Sequence, residues 1–229
     1  MATSLGSRRE RPAKPALSRE WVIAETIRIV RDEGLEKATM RRVADALDTG
    51  PASLYVYVKN TAELHAAVTD ELTGSLPDDA GGSWDERLIA LLEAYSEVLF
   101  AYPGLARSAL TLRPMGPNTL ALVDRVLGLL IAGGVPAQQA AWGADLLIQH
   151  VTANAAEHAG GGGSVADAAA ANGASQGAIV QAVRQADPER TPTLAAHADD
   201  LLSGTPAARH LWGLRVLLAG ISSTPIPGS

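Results

Sequence analysis

Helix starts and stops alternate so quickly between Ser18 and Asn60 that few folds can accommodate the segment. Ser18 suits an N-cap, and Ile23, Ile27 and Val30 then recur at i, i+4 and i+7, the stripe of an amphipathic helix. Gly34, after Asp32-Glu33, suits the left-handed residue that closes a helix. Thr39 is a good cap for a second, short helix from Met40 to Leu47, with Val43, Ala44 and Leu47 inside. Asp48-Thr49-Gly50 breaks it, and Pro51 is favoured at a first helical position, where its missing N–H costs nothing. The spacing predicts a third helix from Pro51 through Tyr57, although Leu54-Tyr55-Val56-Tyr57-Val58 has the β-branched and aromatic composition of a strand. Asn60 or Thr61 caps a fourth helix that reaches about Leu72. Three short helices with a Gly-containing turn before the third make a helix-turn-helix candidate. In that motif the second helix braces across a DNA backbone and the third presents its first residues to the major groove.

The remainder also reads as helix. Leu88, Leu91, Leu92, Tyr95, Val98 and Leu99 recur at helical spacing between Trp84 and Tyr102. Further segments are expected at Leu105 to Leu112, Asn118 to Ile131, Pro136 to His158, Gly177 to Ala186, Leu194 to Leu202 and Ala207 to Ile221. The Gly/Ala/Ser-rich stretch at 159–175, opening with GGGGS, reads as a flexible loop. Residues 1–16 read as a disordered basic arm and 223–229 as a frayed tail. The expected class is therefore all-α: a helix-turn-helix domain over 17–72 and a larger helical domain over 73–222.

Charge supports this division. Residues 1–60 carry 11 Lys/Arg against 8 Asp/Glu, whereas the remainder carries 8 against 17. A basic front on an acidic body suits a modest nucleic-acid binder, and a basic tail on an ordinary protein accounts for it about as well. Zero cysteines exclude disulfides, thiolate metal sites and cysteine nucleophiles. The five histidines, His65, His150, His158, His197 and His210, have no zinc or di-iron helix spacing, so no metal site is expected. No nucleophile elbow, phosphate-binding loop or dinucleotide fingerprint occurs, and no catalytic residue or cofactor is expected. Neither a signal peptide nor a membrane span is read, which points to the cytoplasm.

The run from Val22 to Val68 resembles the DNA-binding domain of the tetracycline-repressor (TetR) family. The helix ending at Gly34, Thr39 before the bracing helix, Val43-Ala44, Leu54-Tyr55 and Val58-Lys59 carry the resemblance, with LYVYVKN especially close. It implies a dimeric repressor of double-stranded DNA, released by a small apolar or amphipathic effector held in the larger domain. It assigns Arg41 to a base edge or phosphate, Pro51, Ala52 and Ser53 to bases, and Tyr55 and Lys59 to phosphates. Tyr57 takes a base or backbone contact, and Thr39 and Met40 lie near the backbone. Thr61 stands where the family often has a lysine, and a helix N-terminus there still offers amides to a phosphate. The helices from Pro136 to His158 and from Ala207 to Ile221 are the expected dimer interface. Tyr95, Phe100, Met115, Trp142, His150 and Asn154 are the residues best suited to an effector pocket. An architectural DNA-binding protein without an effector, or a helical enzyme, are the alternatives.

Overall fold

The computed structural model describes residues 16–78, 81–102, 104–158 and 165–227, with the backbone alone for 165–172 and 175. Among these residues the chain is helical and has no strand. The N-terminal part comprises α1 (Arg19–Glu33), α2 (Met40–Ala46), α3 (Pro51–Leu54) and α4 (Thr61–Thr73), with a 3-10 turn at Leu35–Lys37. The helical body follows as α5 (Trp84–Ala101), α6 (Leu105–Leu112), α7 (Pro117–Ala132) and α8 (Ala137–His158). It ends with α9 (Val165–Arg184), α10 (Pro192–Ala196), α11 (Ala198–Leu202) and α12 (Pro206–Ser223).

Side-chain caps set the early boundaries. Ser18 Oγ accepts from the Trp21 amide at 3.2 Å, Thr39 Oγ1 from Arg42 at 3.2 Å and Asn60 Oδ1 from Glu63 at 2.8 Å. Gly34 closes α1 at φ 90°, its amide donating to the Val30 carbonyl at 3.0 Å. Inside, Val22, Ile29, Val30, Val43, Ala44, Leu54, Leu64 and Val68 are buried in one core. The same core continues into the body, where α8 packs against α5, α6, α7 and α12.

Helix α4 joins the two parts, packing on α1 at one side and on α6 and α7 at the other. Near its C-terminal end the buried Asp70 carboxylate caps α7. It accepts from the Thr119 amide at 2.8 Å, from Thr119 Oγ1 at 2.9 Å and, more loosely, from the Asn118 amide at 3.5 Å. A Cβ at Gly116 would lie 2.2 Å from Asp70 Cγ, so only glycine lets α7 begin there. At the other end of the body, α8 and α12 run antiparallel at close range. Gly143 makes that possible, since a Cβ there would meet Ile221 Cγ2 at 2.7 Å.

Four expectations change. The third helix does not run through Tyr57: α3 ends at Leu54, and residues 55–57 form a turn. Val56 and Val58 are β-branched and disfavour helix, and the Leu54 carbonyl alone accepts from both the Tyr57 and Val58 amides, at 2.9 and 3.1 Å. The stretch 165–175 is not a loop but the first half of α9, where abundant alanine outweighs scattered glycine; 159–164 lies outside the described residues. The segment 194–202 divides at His197 into α10 and α11. In the tail, Ile226 is buried rather than frayed. The basic arm, apart from Ala16, lies outside the described residues.

Candidate nucleic-acid interface

The surface of interest is the α2–turn–α3 unit. The turn depends on Asp48, which takes a left-handed φ of 49°, whereas Gly50 has an ordinary φ of −80°. A Cβ at Gly50 would meet nothing within 4 Å, so the fold itself does not require glycine there. Pro51, Ala52 and Ser53 follow, all exposed, and only Leu54 in the stretch 50–56 is buried. Tyr55 and Val56 are 55% and 80% exposed, a tyrosine and a valine that the core does not use.

Arg41 and Arg42 separate cleanly. Arg42 Nε and Nη2 bind the two carboxylate oxygens of Glu33 at 3.0 and 2.5 Å, bracing α2 against α1. That hydrogen-bonded pairing holds the Glu33 carboxyl below its usual range. Arg41 is exposed and has no ion-pair partner among the described residues. Lys59 is exposed too, and its backbone amide donates to Glu63 Oε2 at 2.8 Å. Thr61, half-buried, opens α4 beside it.

Three candidates have work inside the fold. Met40 is buried in the core. The Thr39 hydroxyl caps α2. Tyr57 packs against the core, and its hydroxyl donates to the Leu17 carbonyl at 2.5 Å, closing the chain entry onto the recognition turn. The structure therefore gathers Arg41, Pro51, Ala52, Ser53, Tyr55 and Lys59 as exposed side chains of one motif, and holds Met40 and Tyr57 largely within it. Val56 and the left-handed Asp48 were missed. A valine exposed in a strand-like pentapeptide was the available signal for the first.

In the body, the six effector candidates do not converge. Tyr95 is buried, its hydroxyl 3.4 Å from Thr152 Oγ1, and burial pushes its pKa up. Phe100, Met115 and Trp142 are exposed at 39%, 65% and 57%. His150 and Asn154 are half-buried on one face of α8. None of the six lines either of two open clefts described here. One, of about 290 Å³, lies between α5 and α7, lined by Arg87, Ala90, Arg125 and Gly128. The other, of about 420 Å³, lies where Leu35, His65 and α6 meet, with Arg107 and Thr111 on its wall.

A family model for the tetracyclin repressor-like C-terminal domain matches residues 76–224. The chain belongs to the TetR family of transcriptional regulators. The match falls on the body, where sequence reasoning had found no motif. Members of this family are transcriptional regulators, not enzymes. A TetR-family fold is also what the solved structures show. The Streptomyces coelicolor transcription regulator SCO7704 is 49% identical with a TM-score of 0.76, the match covering 94% of this chain and all of that one. The TetR family protein ActR of S. coelicolor, crystallised in complex with actinorhodin, is 28% identical with a TM-score of 0.79 over 94% of this chain and all of its own. An HTH-type transcriptional repressor, DrrR1, of Streptomyces coeruleorubidus is 33% identical over 128 residues, which is 55% of this chain and 47% of the relative. The chain spans about half the length of the curated relatives it matches. No single helix among the described residues is long and apolar enough to cross a membrane.

Proposed function

We propose that the chain acts as a homodimeric repressor that leaves a near-palindromic operator when a small molecule binds its helical body. The observation that carries this reading is the row of exposed side chains at 51–53, 55 and 56 around a single buried anchor, Leu54. Small residues at the start of α3 let the backbone approach base edges, and the Tyr55 hydroxyl, Arg41 and Lys59 supply phosphate contacts. Two such motifs would enter successive major grooves about one helical turn apart.

Dimerisation is supported by an apolar face that the isolated chain leaves open. Trp142 and Leu146 on α8 and Trp212 and Val216 on α12 are 57%, 44%, 69% and 47% exposed. Exposed aromatics clustered on two antiparallel helices suit a four-helix bundle with a second copy. Effector control is supported by the likeness to ActR, whose structure carries actinorhodin in this fold. Helix α4 is the lever in this reading, since Glu63 in its first turn accepts from the Lys59 amide and Asp70 ties its other end to α7. A coupling of about 1–3 kcal/mol would suffice for a useful response.

The test is binding to upstream DNA across a salt series. Arg41→Ala and Tyr55→Phe are expected to weaken binding, and Arg41→Ala to flatten the salt slope by about one ion. Unchanged affinity and slope in both variants would remove the assignment.

A further inference from the structure

At the seam of α5, α8 and α12 stands a polar cluster that the DNA-facing half does not explain. His150 of α8 and His210 of α12 face each other with ring planes 4° apart and centroids separated by 6.2 Å. Nε2 of His150 and both ring nitrogens of His210 are buried and have no hydrogen-bond partner. Glu93 of α5 and His158 of α8 act electrostatically on the same His210 ring. Asn154 lies one turn from His150 on α8, and its carbonyl is 2.8 Å from His158 Nδ1. The helices meet tightly here, for a Cβ at Gly213 would come within 3.3 Å of His150 Nε2.

A buried polar nitrogen without a partner is destabilising, so three at one contact call for an explanation. These atoms are covered in the isolated chain already. A second copy docking on the outer face of α8 and α12 could not reach them without moving the helices. A metal ion is disfavoured, because no group of three or more His, Asp or Glu side chains among the described residues is arranged to hold one. Burial, and then the neighbouring His150, pushes the His210 pKa down, which favours the uncharged ring. An uncharged imidazole offers one N–H donor and one bare acceptor nitrogen. The complementary group both donates and accepts, which a hydroxyl does and a carboxylate or ammonium does not. Leu147 and Leu214, each about a turn away and fully buried, supply the apolar surroundings.

We propose that His150 and His210 form the polar anchor of an effector site, closed in this conformation, that takes a hydroxyl-bearing apolar molecule between α8 and α12. This rests on the effector-released reading above and gives it a location and a ligand chemistry. Opening the seam would shift α12 against α8, the two helices assigned to the dimer, and so connect occupancy to the spacing of the DNA-binding motifs.

The experiment is a titration of the full-length, ¹⁵N-histidine-labelled protein with 1-naphthol and, in parallel, with 1-methylnaphthalene, which has the same ring system without the hydroxyl. The expected result is saturable movement of the His150 and His210 ring signals with 1-naphthol, and at least tenfold weaker binding of 1-methylnaphthalene. His150→Leu and His210→Leu should each weaken 1-naphthol binding about tenfold, with melting curves confirming that they fold. Equal binding of both probes, no binding of 1-naphthol, or ring nitrogens already hydrogen-bonded in the free protein would overturn the proposal. The wild-type reading of the observed signals keeps the test valid if a variant does not fold. Failure of the repressor reading is separate: it would appear as absence of operator binding by the ligand-free wild type.

Discussion

Tyr55 and Tyr57 stand two residues apart and do unlike work. The Tyr57 hydroxyl is bonded to the Leu17 carbonyl, while Tyr55 is 55% exposed. Tyr57→Phe should therefore lower stability by about 1 kcal/mol, read as a shift of the urea midpoint, with DNA affinity little changed. Tyr55→Phe should do the reverse, leaving the midpoint within about 0.5 kcal/mol. From the sequence the two were given similar DNA-facing roles, because a tyrosine at either position fits the family pattern. Only the packed entry of the chain at Leu17, forty residues away, separates them. Met40, expected near the DNA backbone, has its side chain buried: its neighbour Arg41 is exposed, and helical phase places Met40 inward. His210 supplies a residue-scale pH effect. Its pKa is lowered on folding, so below the ordinary histidine value near 6.5 the unfolded chain binds more protons than the folded one. Stability is then present above that pH and is lost as pH falls toward the lowered folded value. His210→Gln should flatten the acid side of a plot of melting temperature against pH.

At the scale of elements, Asp70 connects α4 to the start of α7. Removing its carboxylate leaves the Thr119 amide and hydroxyl buried without their acceptor. Asp70→Ala should cost about 2–3 kcal/mol in chemical denaturation. Gly116→Ala, which would press a methyl group into the same carboxylate, should lower stability as well and loosen the response of DNA binding to effector. The helix boundaries that were legible were those with chemical punctuation: Ser18, Thr39 and Asn60 as caps, and Leu105 to Leu112 between Pro103-Gly104 and Arg113. Those misjudged lacked it. In α9, the Gly/Ala/Ser-rich composition up to 175 outweighed the helix propensity of alanine in the sequence reading, and the side chains described from 173 to 179, apart from 175, are exposed, so no apolar stripe marks that stretch. The recognition segment failed the other way. Its start at Pro51 was clear, but its end depends on how Leu54 is buried and on one shared carbonyl, which spacing cannot reveal.

For the molecule as a whole, the apolar face of α8 and α12 sets the expected assembly. Trp212→Arg together with Leu146→Glu should give a monomer in light scattering at micromolar concentration, with chain folding retained and operator affinity lost. A dimer that survives both changes would require a different face. Within one chain the two helices pack closely, as Gly143 against Ile221 shows, and their use between copies was expected from the family resemblance. The aromatic effector candidates could not be placed from the sequence, because an aromatic at helical spacing reads alike whether it faces core, cavity or solvent. Tyr95 lies in the core, whereas Phe100 and Trp142 are both exposed.

Leu54 has a consequence for how such a regulator changes over generations. With Leu54 buried between exposed neighbours, the side chains at 51, 52, 53, 55 and 56 can be exchanged without disturbing the interior. A duplicated gene can thus drift toward a new binding sequence through intermediates that all fold, and a library randomised at those five positions should yield mostly soluble protein. Leu54→Ala, by contrast, should cost about 2–5 kcal/mol and close that route at once.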